Sequence, residues 1–185
     1  AAAHAGGLRV PHDDETARAR ALHDHAITRA LSRHLADHRV VAFMGGHKLT
    51  RDSSSYRMVA DCARTLARDG VLVVSGGGPG AMEAAHLGAR LADHDDDELT
   101  AAVALLRQVP AFPSYVASDF VTADGSLDPD LLRAIHRWQA PAFEVARRWT
   151  TRTVTIGIPT WLFGHEPPTP LATMHAKYFE NSIRE

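Results

Sequence analysis

The sequence predicts an α/β protein of three layers, with a parallel sheet between helices. Short runs of apolar and β-branched residues occur at positions 39–44, 71–74 and 151–158. Such runs are typical of strands buried on both faces of a sheet. Helical periodicity separates the runs, and the first two lead into glycine-rich loops. Because helices between consecutive strands require those strands to be parallel, we expect a parallel α/β/α arrangement.

Composition places the chain among globular proteins and excludes several functions. Of its 185 residues, 45% are hydrophobic and 23% are charged, which is ordinary for one folded domain. The net charge of −2 gives no electrostatic reason to expect nucleic acid or an anionic membrane as partner. No apolar run approaches the roughly 20 residues that span a bilayer, and no signal peptide is visible. The single cysteine, Cys62, excludes a disulfide framework. We therefore expect a cytoplasmic protein.

The most informative stretch is residues 71–83, VLVVSGGGPGAME. It predicts a buried strand, a glycine-rich turn and the first turn of a helix. Glycines let the backbone turn sharply and approach a ligand closely, while the helix directs unpaired N–H groups and the positive end of its dipole at the turn. This combination predicts an anion or nucleotide site. The alternative, a tight connection that binds nothing, needs fewer glycines than this turn contains.

A second loop of the same kind follows the first predicted strand. Residues 45–48, GGHK, come directly after the run at 39–44. A serine among residues 53–55 is expected to cap a helix over residues 56–69, and Gly70 is expected to end that helix. In open α/β sheets, ligands bind beyond the carboxyl ends of the strands. Since both glycine loops fall at that edge, we expect them to form one site.

The chain before the first strand is expected to be a helical lead-in. Residues 15–37 have helical spacing, so residues 1–38 are separated from a nucleotide-binding domain over residues 39–185. His34 and His38 are four positions apart and can meet on one helix face. Without a third ligand beside them, a solvated face is favoured over a metal site, and no metal is predicted.

The second half of the chain is predicted mainly from helical periodicity. An acidic break at residues 93–98 is interpreted as a turn that caps the next helix, at residues 99–108, rather than as a cation site. Residues 109–128 are expected to be irregular. A helix over residues 130–149 follows, and Pro141 is expected to bend or interrupt it.

The third predicted strand, residues 151–158, ends in a loop that is aromatic and apolar yet rich in turn-forming residues. A ligand pocket combines apolar walls with a few polar groups. This loop is therefore a candidate wall of the site, through Pro159, Trp161 and His165. A last helix is predicted over residues 171–184.

Motifs of other chemistries fit less well. Gly76, Gly78 and Ala81 match the dinucleotide pattern G-x-G-x-x-A, but no second strand ends in an acidic residue about 20 positions later. No lysine follows the glycines, as it does in nucleoside triphosphatases, and neither G-x-S-x-G nor H-E-x-x-H occurs. Neither Lys48 nor Lys177 has a context that favours a pyridoxal Schiff base. No cofactor is predicted.

The segment GGGPGAMEAA after an apolar strand, preceded by a GG…S…Y loop and helix, resembles the LOG family. These are Rossmann-like proteins once labelled lysine decarboxylases. The segment GIPTWLFGHEPP…MHAKYFENSIRE resembles the larger bacterial branch of the family, and the resemblance covers about residues 40–185. Characterised members are cytokinin riboside 5′-monophosphate phosphoribohydrolases or nucleotide 5′-monophosphate nucleosidases. The resemblance implies a nucleoside 5′-monophosphate ligand, hydrolysis of its N-glycosidic bond, and a homo-oligomer.

By this resemblance, backbone N–H groups of the second loop would contact ribose or phosphate oxygens, and Met82 would lie near the base. The implied nucleotide-binding residues are Gly45, Gly46, Lys48, Ser75, Gly76, Gly77, Gly78, Gly80, Met82 and Glu83. The family's second motif, P-G-G-x-G-T-x-x-E, supplies the glutamate implicated in bond cleavage, and it does not occur in these 185 residues. No catalytic residue is therefore assigned.

A three-stranded sheet would also leave its edges uncovered. We therefore expect the chain to be the N-terminal part of a longer protein. A noncatalytic nucleotide sensor or interaction module with the same fold is the alternative function. Binding of single-stranded DNA is a weaker interpretation, because it predicts a basic surface that the near-neutral charge does not favour.

Overall fold

The computed structural model of the chain describes residues 13–115, 119, 122, 125–159 and 167–179. Within these residues the helices and strands follow the predicted order up to the third strand, after which a fourth strand takes the place of the last predicted helix. In chain order they are α1 (Asp14–Leu35), β1 (Arg39–Phe43), α2 (Ser54–Arg68), β2 (Val71–Ser75), α3 (Ala81–Arg90), α4 (Asp96–Leu106), α5 (Pro129–Arg148), β3 (Thr155–Gly157) and β4 (Met174–His175).

The strands form one sheet in the order β1-β2-β3-β4, and every neighbouring pair is parallel. Pairing of β1 with β2 runs from Arg39 opposite Val71 to Phe43 opposite Ser75. The carboxyl ends of these two strands are therefore level. The predicted parallel α/β fold is confirmed, and the level ends bring the two glycine loops to the same edge.

Helices cover both faces of the sheet, which gives the three predicted layers. On one face, Val73 packs with Ala63 of α2 and with Ala85 and Ala89 of α3. On the other face, α1 contributes Ile27, Leu31 and Leu35 to a cluster with Leu72, Val74 and Ile156. The segment predicted as a lead-in thus packs directly on the sheet. An outer cluster, built around Leu87, Leu99 and Val145, joins α4 and α5 to α2 and α3.

The final predicted helix is wrong over its described part. Residues 171–173 form a turn, and Met174–His175 then adds a fourth parallel strand beside β3. Side chains reinforce this pairing: Thr155 N–H donates to Thr173 Oγ1 at 2.8 Å, and Thr173 N–H donates to Thr155 Oγ1 at 3.2 Å. The segment satisfies its backbone by bonding to a strand distant in sequence, which helical periodicity does not reveal. Residues 180–184 of the predicted helix lie outside the described residues.

Two further boundaries differ from prediction. Strand β3 covers only Thr155–Gly157 of the predicted residues 151–158. Helix α5 runs through Pro141 as one element, so the predicted interruption is wrong. A proline inside a helix removes one backbone hydrogen bond and crowds a preceding carbonyl. Pro141 lies on the buried face of α5 with Trp138, Ala142 and Val145, so burial of this face favours the helix despite that cost.

The predicted capping residues of α2 and the predicted cap before α4 agree with the structure, although the helix bounds differ by up to three residues. Ser53 caps α2 by accepting from Tyr56 N–H, and Gly70 follows the helix with a positive φ of 74°. In the acidic break, Asp95 and Glu98 form a reciprocal capping box at the start of α4. Of the described helices, none is long and apolar enough to cross a bilayer.

Candidate functional site

The two glycine loops meet at the carboxyl edge of β1 and β2. The Gly46 carbonyl accepts a hydrogen bond of 3.1 Å from Ala81 N–H, at the first position of α3. A Cβ added at Gly80 would lie 2.1 Å from the Gly46 oxygen and 2.7 Å from the His47 oxygen. Gly80 also has a φ of 72°, which residues other than glycine rarely adopt. Glycine at position 80 is therefore required for the two loops to interlock.

Strands β3 and β4 support the second loop from behind. Gly77, with a φ of 71°, approaches Gly157 so closely that an added Cβ would lie 3.1 Å from the Gly157 Cα. The Gly77 carbonyl accepts from Thr169 N–H at 2.8 Å. The imidazole of His175 lies beside both glycines. These contacts leave residues 77–80 buried.

A buried serine and histidine hold the turn between β2 and the glycines. Ser75 Oγ accepts from Gly77 N–H at 2.9 Å and lies 2.8 Å from His86 Nε2. Burial, with smaller effects from His175 and Arg90, lowers the pKa of His86 to about 3. His86 is therefore neutral near pH 7. The sequence did not mark His86, because the contact joins a strand end to the buried face of a helix.

Glu83, one of the predicted nucleotide contacts, is enclosed in an ion pair. Both carboxylate oxygens accept from Arg51, each at 2.7 Å, and Tyr56 OH donates to Oε2 at 2.9 Å. The Arg51 guanidinium also lies 4.1 Å from the ring centroid of Trp138. Glu83 is 0% exposed and Arg51 1%. Burial and the neighbouring carboxylate raise the pKa of Tyr56 well above its usual value.

This ion pair joins the segment after the first glycine loop to the helix after the second. Its two members are 32 positions apart in sequence, so neither periodicity nor motif spacing could have paired them. Tyr56, predicted only to begin a helix, is a further member. In this structure the Glu83 carboxylate has no access to a ligand, and its observed contacts are structural.

The predicted site residues therefore fall into two groups, a support and a rim. The support is buried, and it consists of Ser75, Gly77, Gly78, Gly80 and Glu83. The rim is accessible, and it consists of the exposed Gly45, Gly46 and Lys48 with the half-buried Gly76 and Met82. The Met82 sulfur lies over Gly76, since a Cβ added at Gly76 would be 2.9 Å from it.

An aromatic cluster that the sequence did not single out lies beside the rim. The Phe112 ring meets the His47 ring edge-on, with the ring centroids 6.3 Å apart. It also meets the Tyr115 ring at a tilt of 54°, with the centroids 5.4 Å apart. Phe112 also packs edge-on against Trp138 at 4.8 Å. Phe112 and Tyr115 are half-buried, so the cluster extends the rim with apolar, flat surface and connects it to the buried Arg51.

The predicted pocket wall is described only in part. Pro159 is half-buried just beyond β3, and its carbonyl accepts from Tyr178 N–H at 3.1 Å. Trp161 and His165 lie outside the described residues. Among the described residues, no group of three or more His, Cys, Asp or Glu side chains is arranged to hold a metal ion. His34 and His38 stack with their ring centroids 5.8 Å apart.

A comparison with models of known protein families finds no match to the chain, and a comparison with curated proteins finds none either. The α/β fold therefore stands on the geometry of the sheet and its helices. The family resemblance in the sequence stays a prediction.

Proposed function

We propose that this chain binds a nucleoside 5′-monophosphate at the carboxyl edge of β1 and β2, as the nucleotide-binding part of a LOG-like N-glycosidic hydrolase. The observation that carries the proposal is the interlock of the two glycine loops, through the Ala81 to Gly46 hydrogen bond and the close approach of Gly80. Nucleotides bind parallel α/β sheets at this edge. The joined loops offer exposed backbone and a cation in one place.

The rim supplies complementary groups for the two ends of such a ligand. Lys48 and the positive end of the α3 dipole favour the phosphate. Gly45 and Gly46 have positive φ values of 78° and 68° and are exposed, so ribose and phosphate oxygens could approach the backbone of the first loop. Met82 and the Phe112 cluster provide apolar surface against which a base can stack.

Hydrolysis of the N-glycosidic bond would develop positive charge on the ribose, and a nearby carboxylate would stabilise that charge and help to activate water. Glu83 is enclosed by Arg51 and Tyr56 and is not available for this role. The glutamate motif of the family does not occur in these 185 residues. The enclosure of Glu83 favours a second candidate function, a noncatalytic nucleotide sensor that uses the same rim.

Calorimetric titration with AMP and CMP tests the binding proposal, with adenosine as the ligand that lacks phosphate. The two lysines of the chain provide a matched pair of variants. We expect Lys48→Ala to weaken AMP binding about tenfold, because a hydrogen bond to a charged group contributes roughly 1.5–3 kcal/mol. Lys177→Ala should bind normally. No binding of either nucleotide, or equal affinity for AMP and adenosine, would refute the proposed site.

Release of free base separates the two candidate functions. A hydrolase should convert AMP to adenine and ribose 5-phosphate, which chromatography detects directly. The assay should be run on this chain and on any longer natural form of the protein. Tight AMP binding without adenine release in both forms would establish the sensor and exclude the hydrolase.

A further inference from the structure

A cavity lies on the opposite face of the sheet from α2 and α3, between the C-terminal half of α1 and strands β3 and β4. Its volume is about 390 Å³, within the range of small-molecule sites. Apolar side chains form much of its lining, including Ile27, Leu31, Ile156 and Ala176. This cavity is separate from the rim and does not depend on the proposed nucleotide function.

The polar side chains in the described lining of the cavity all carry nitrogen. Arg33, His34 and His175 line it, and the described lining contains no carboxylate. His34 Nε2 is shielded from solvent and has no hydrogen-bond partner among the described residues. Because buried polar atoms in proteins are nearly always hydrogen-bonded, the Nε2 atom marks a position where a hydrogen-bond partner is missing, and an acceptor fits there when Nε2 carries the proton.

The location of Arg33 and His34 at the end of α1 accounts only in part for the presence of basic side chains there. Arg33 and His34 lie in the last turn of the helix, where basic side chains complement the dipole. That role requires only that the side chain lie near the helix end. It does not account for an Nε2 atom that is buried without a partner. The neighbouring His38 ring stacks on His34 at 5.8 Å, which provides no hydrogen bond to Nε2.

We propose that this cavity binds a small organic monocarboxylate, whose hydrocarbon part lies on Ile27, Leu31 and Ile156 and whose carboxylate meets Arg33 and His34. The guanidinium and an Nε2–H group would each donate to the two carboxylate oxygens. A monoanion fits better than a phosphate, because the apolar walls outnumber the donors. His175 adds a largely neutral ring, since burial lowers its pKa.

Hexanoate is the probe, and the neutral hexan-1-ol is its control. We expect hexanoate to shift the NMR signals of the Ile27 and Ile156 methyl groups saturably, and to bind at least about tenfold more tightly than hexan-1-ol. Equal binding of the alcohol would show an apolar cavity without an anion site. Inorganic phosphate perturbing the same methyl groups as strongly would show a simple anion site. Either result, or no saturable shift with millimolar hexanoate, overturns the proposal.

Matched variants on α1 identify the groups that bind the carboxylate. His34→Phe keeps a ring and removes the donor, and Arg33→Gln removes the charge. Each should weaken hexanoate binding about tenfold. Arg29→Gln, on α1, and His38→Phe, just after α1, change residues outside the lining and should not weaken it. Unchanged binding in a folded His34→Phe protein would refute the assignment of Nε2. If that variant does not fold, Arg33→Gln against Arg29→Gln decides the question.

Discussion

The two glycine loops follow neighbouring strands and meet at one edge, yet they are held in different ways. Residues 44–48 of the first loop are exposed, and a Cβ added at Gly45 would meet no atom within 4 Å. Residues 77–80 of the second loop are buried, and added Cβ atoms at Gly77 and Gly80 would press on backbone. At Gly45 only the positive φ favours glycine. At Gly77 and Gly80 glycine is favoured both by the positive φ and by the close approach of neighbouring backbone. The second loop is a fixed support, and the first is the surface that a ligand can contact.

The largest expected effect comes from separating the two loops at their buried ion pair. Arg51→Met should destabilise the protein by about 3–5 kcal/mol, because it leaves the Glu83 carboxylate buried without its partner. Urea unfolding measures the loss. Arg57→Met is the matched control, since the Arg57–Asp61 pair is partly exposed and worth less than about 1 kcal/mol. Similar losses in the two variants would show that the buried pair does not hold the loops together.

Alanine at a glycine of each loop tests the comparison directly. Gly80→Ala should cost about 3 kcal/mol or more, because it adds a steric clash to an unfavourable φ. Gly45→Ala should cost about 1 kcal/mol, because only the φ is unfavourable. Denaturant midpoints, at constant m-value, report both changes. Equal costs at the two positions would contradict the interlock of the loops.

The buried His86 should make the second loop sensitive to acid. Its pKa is about 3 in the folded protein and near 6.5 when exposed, so between these values the unfolded chain binds a proton that the folded protein does not. The free energy of unfolding should therefore fall as pH falls, by up to about 1.4 kcal/mol per pH unit and about 2 kcal/mol by roughly pH 5.

Replacement of His86 isolates this contribution. In His86→Gln, the free energy of unfolding should depend less steeply on pH between about pH 6 and pH 4. His136→Gln, at an exposed position of α5, should keep the slope of the original protein. Urea unfolding at a series of pH values provides the comparison. An unchanged slope in His86→Gln would remove His86 as the cause.

The effect expected from a change at Ser75 is local to the turn that follows β2. Ser75→Ala removes the hydrogen-bond partner of both Gly77 N–H and His86 Nε2 and should cost about 2 kcal/mol. Hydrogen exchange at the Gly77 amide should accelerate more than the global loss of stability explains. Ser54→Ala, at an exposed position in the first turn of α2, is the control. If Gly77 exchange merely follows global stability, the hydroxyl does not hold the turn.

Local patterns were sufficient to predict the half of the fold that contains the loops. Strands β1 and β2 and their helices were predicted because branched runs, caps and Gly70 lie next to one another in sequence. The last helix was wrong over residues 171–179 because Met174 and His175 pair with β3 as strand β4. The adjoining contact between Thr155 and Thr173 joins residues 18 positions apart. In this segment the helical preference of the sequence is outweighed by hydrogen bonds to β3, which form only in the assembled sheet.

The candidate site was predictable in position but not in the roles of its residues. The glycine spacing correctly indicated a turn at the sheet edge. The glycine spacing could not show that Glu83 pairs with Arg51 or that His86 hydrogen-bonds to Ser75, because these contacts depend on how α3 packs. Phe112 and Tyr115 come from a segment without periodicity, so no pattern marked them. The residues of the support and of the rim belong to the same sequence motifs, and only their burial in the structure distinguishes the two groups.

The sheet order has a consequence for how the protein folds. Residues 39–90 contain β1, α2, β2 and α3, which contact one another over short sequence distances. Strand β3 pairs with β2 only when residues 76–154 close as a loop, and such distant pairings form late. In pulse-labelled refolding, we expect amides of residues 39–90 to become protected before those of β3. The loops would then join early, while Gly157 and His175 would reach Gly77 last, so the support beneath the proposed nucleotide edge would be completed after the edge itself.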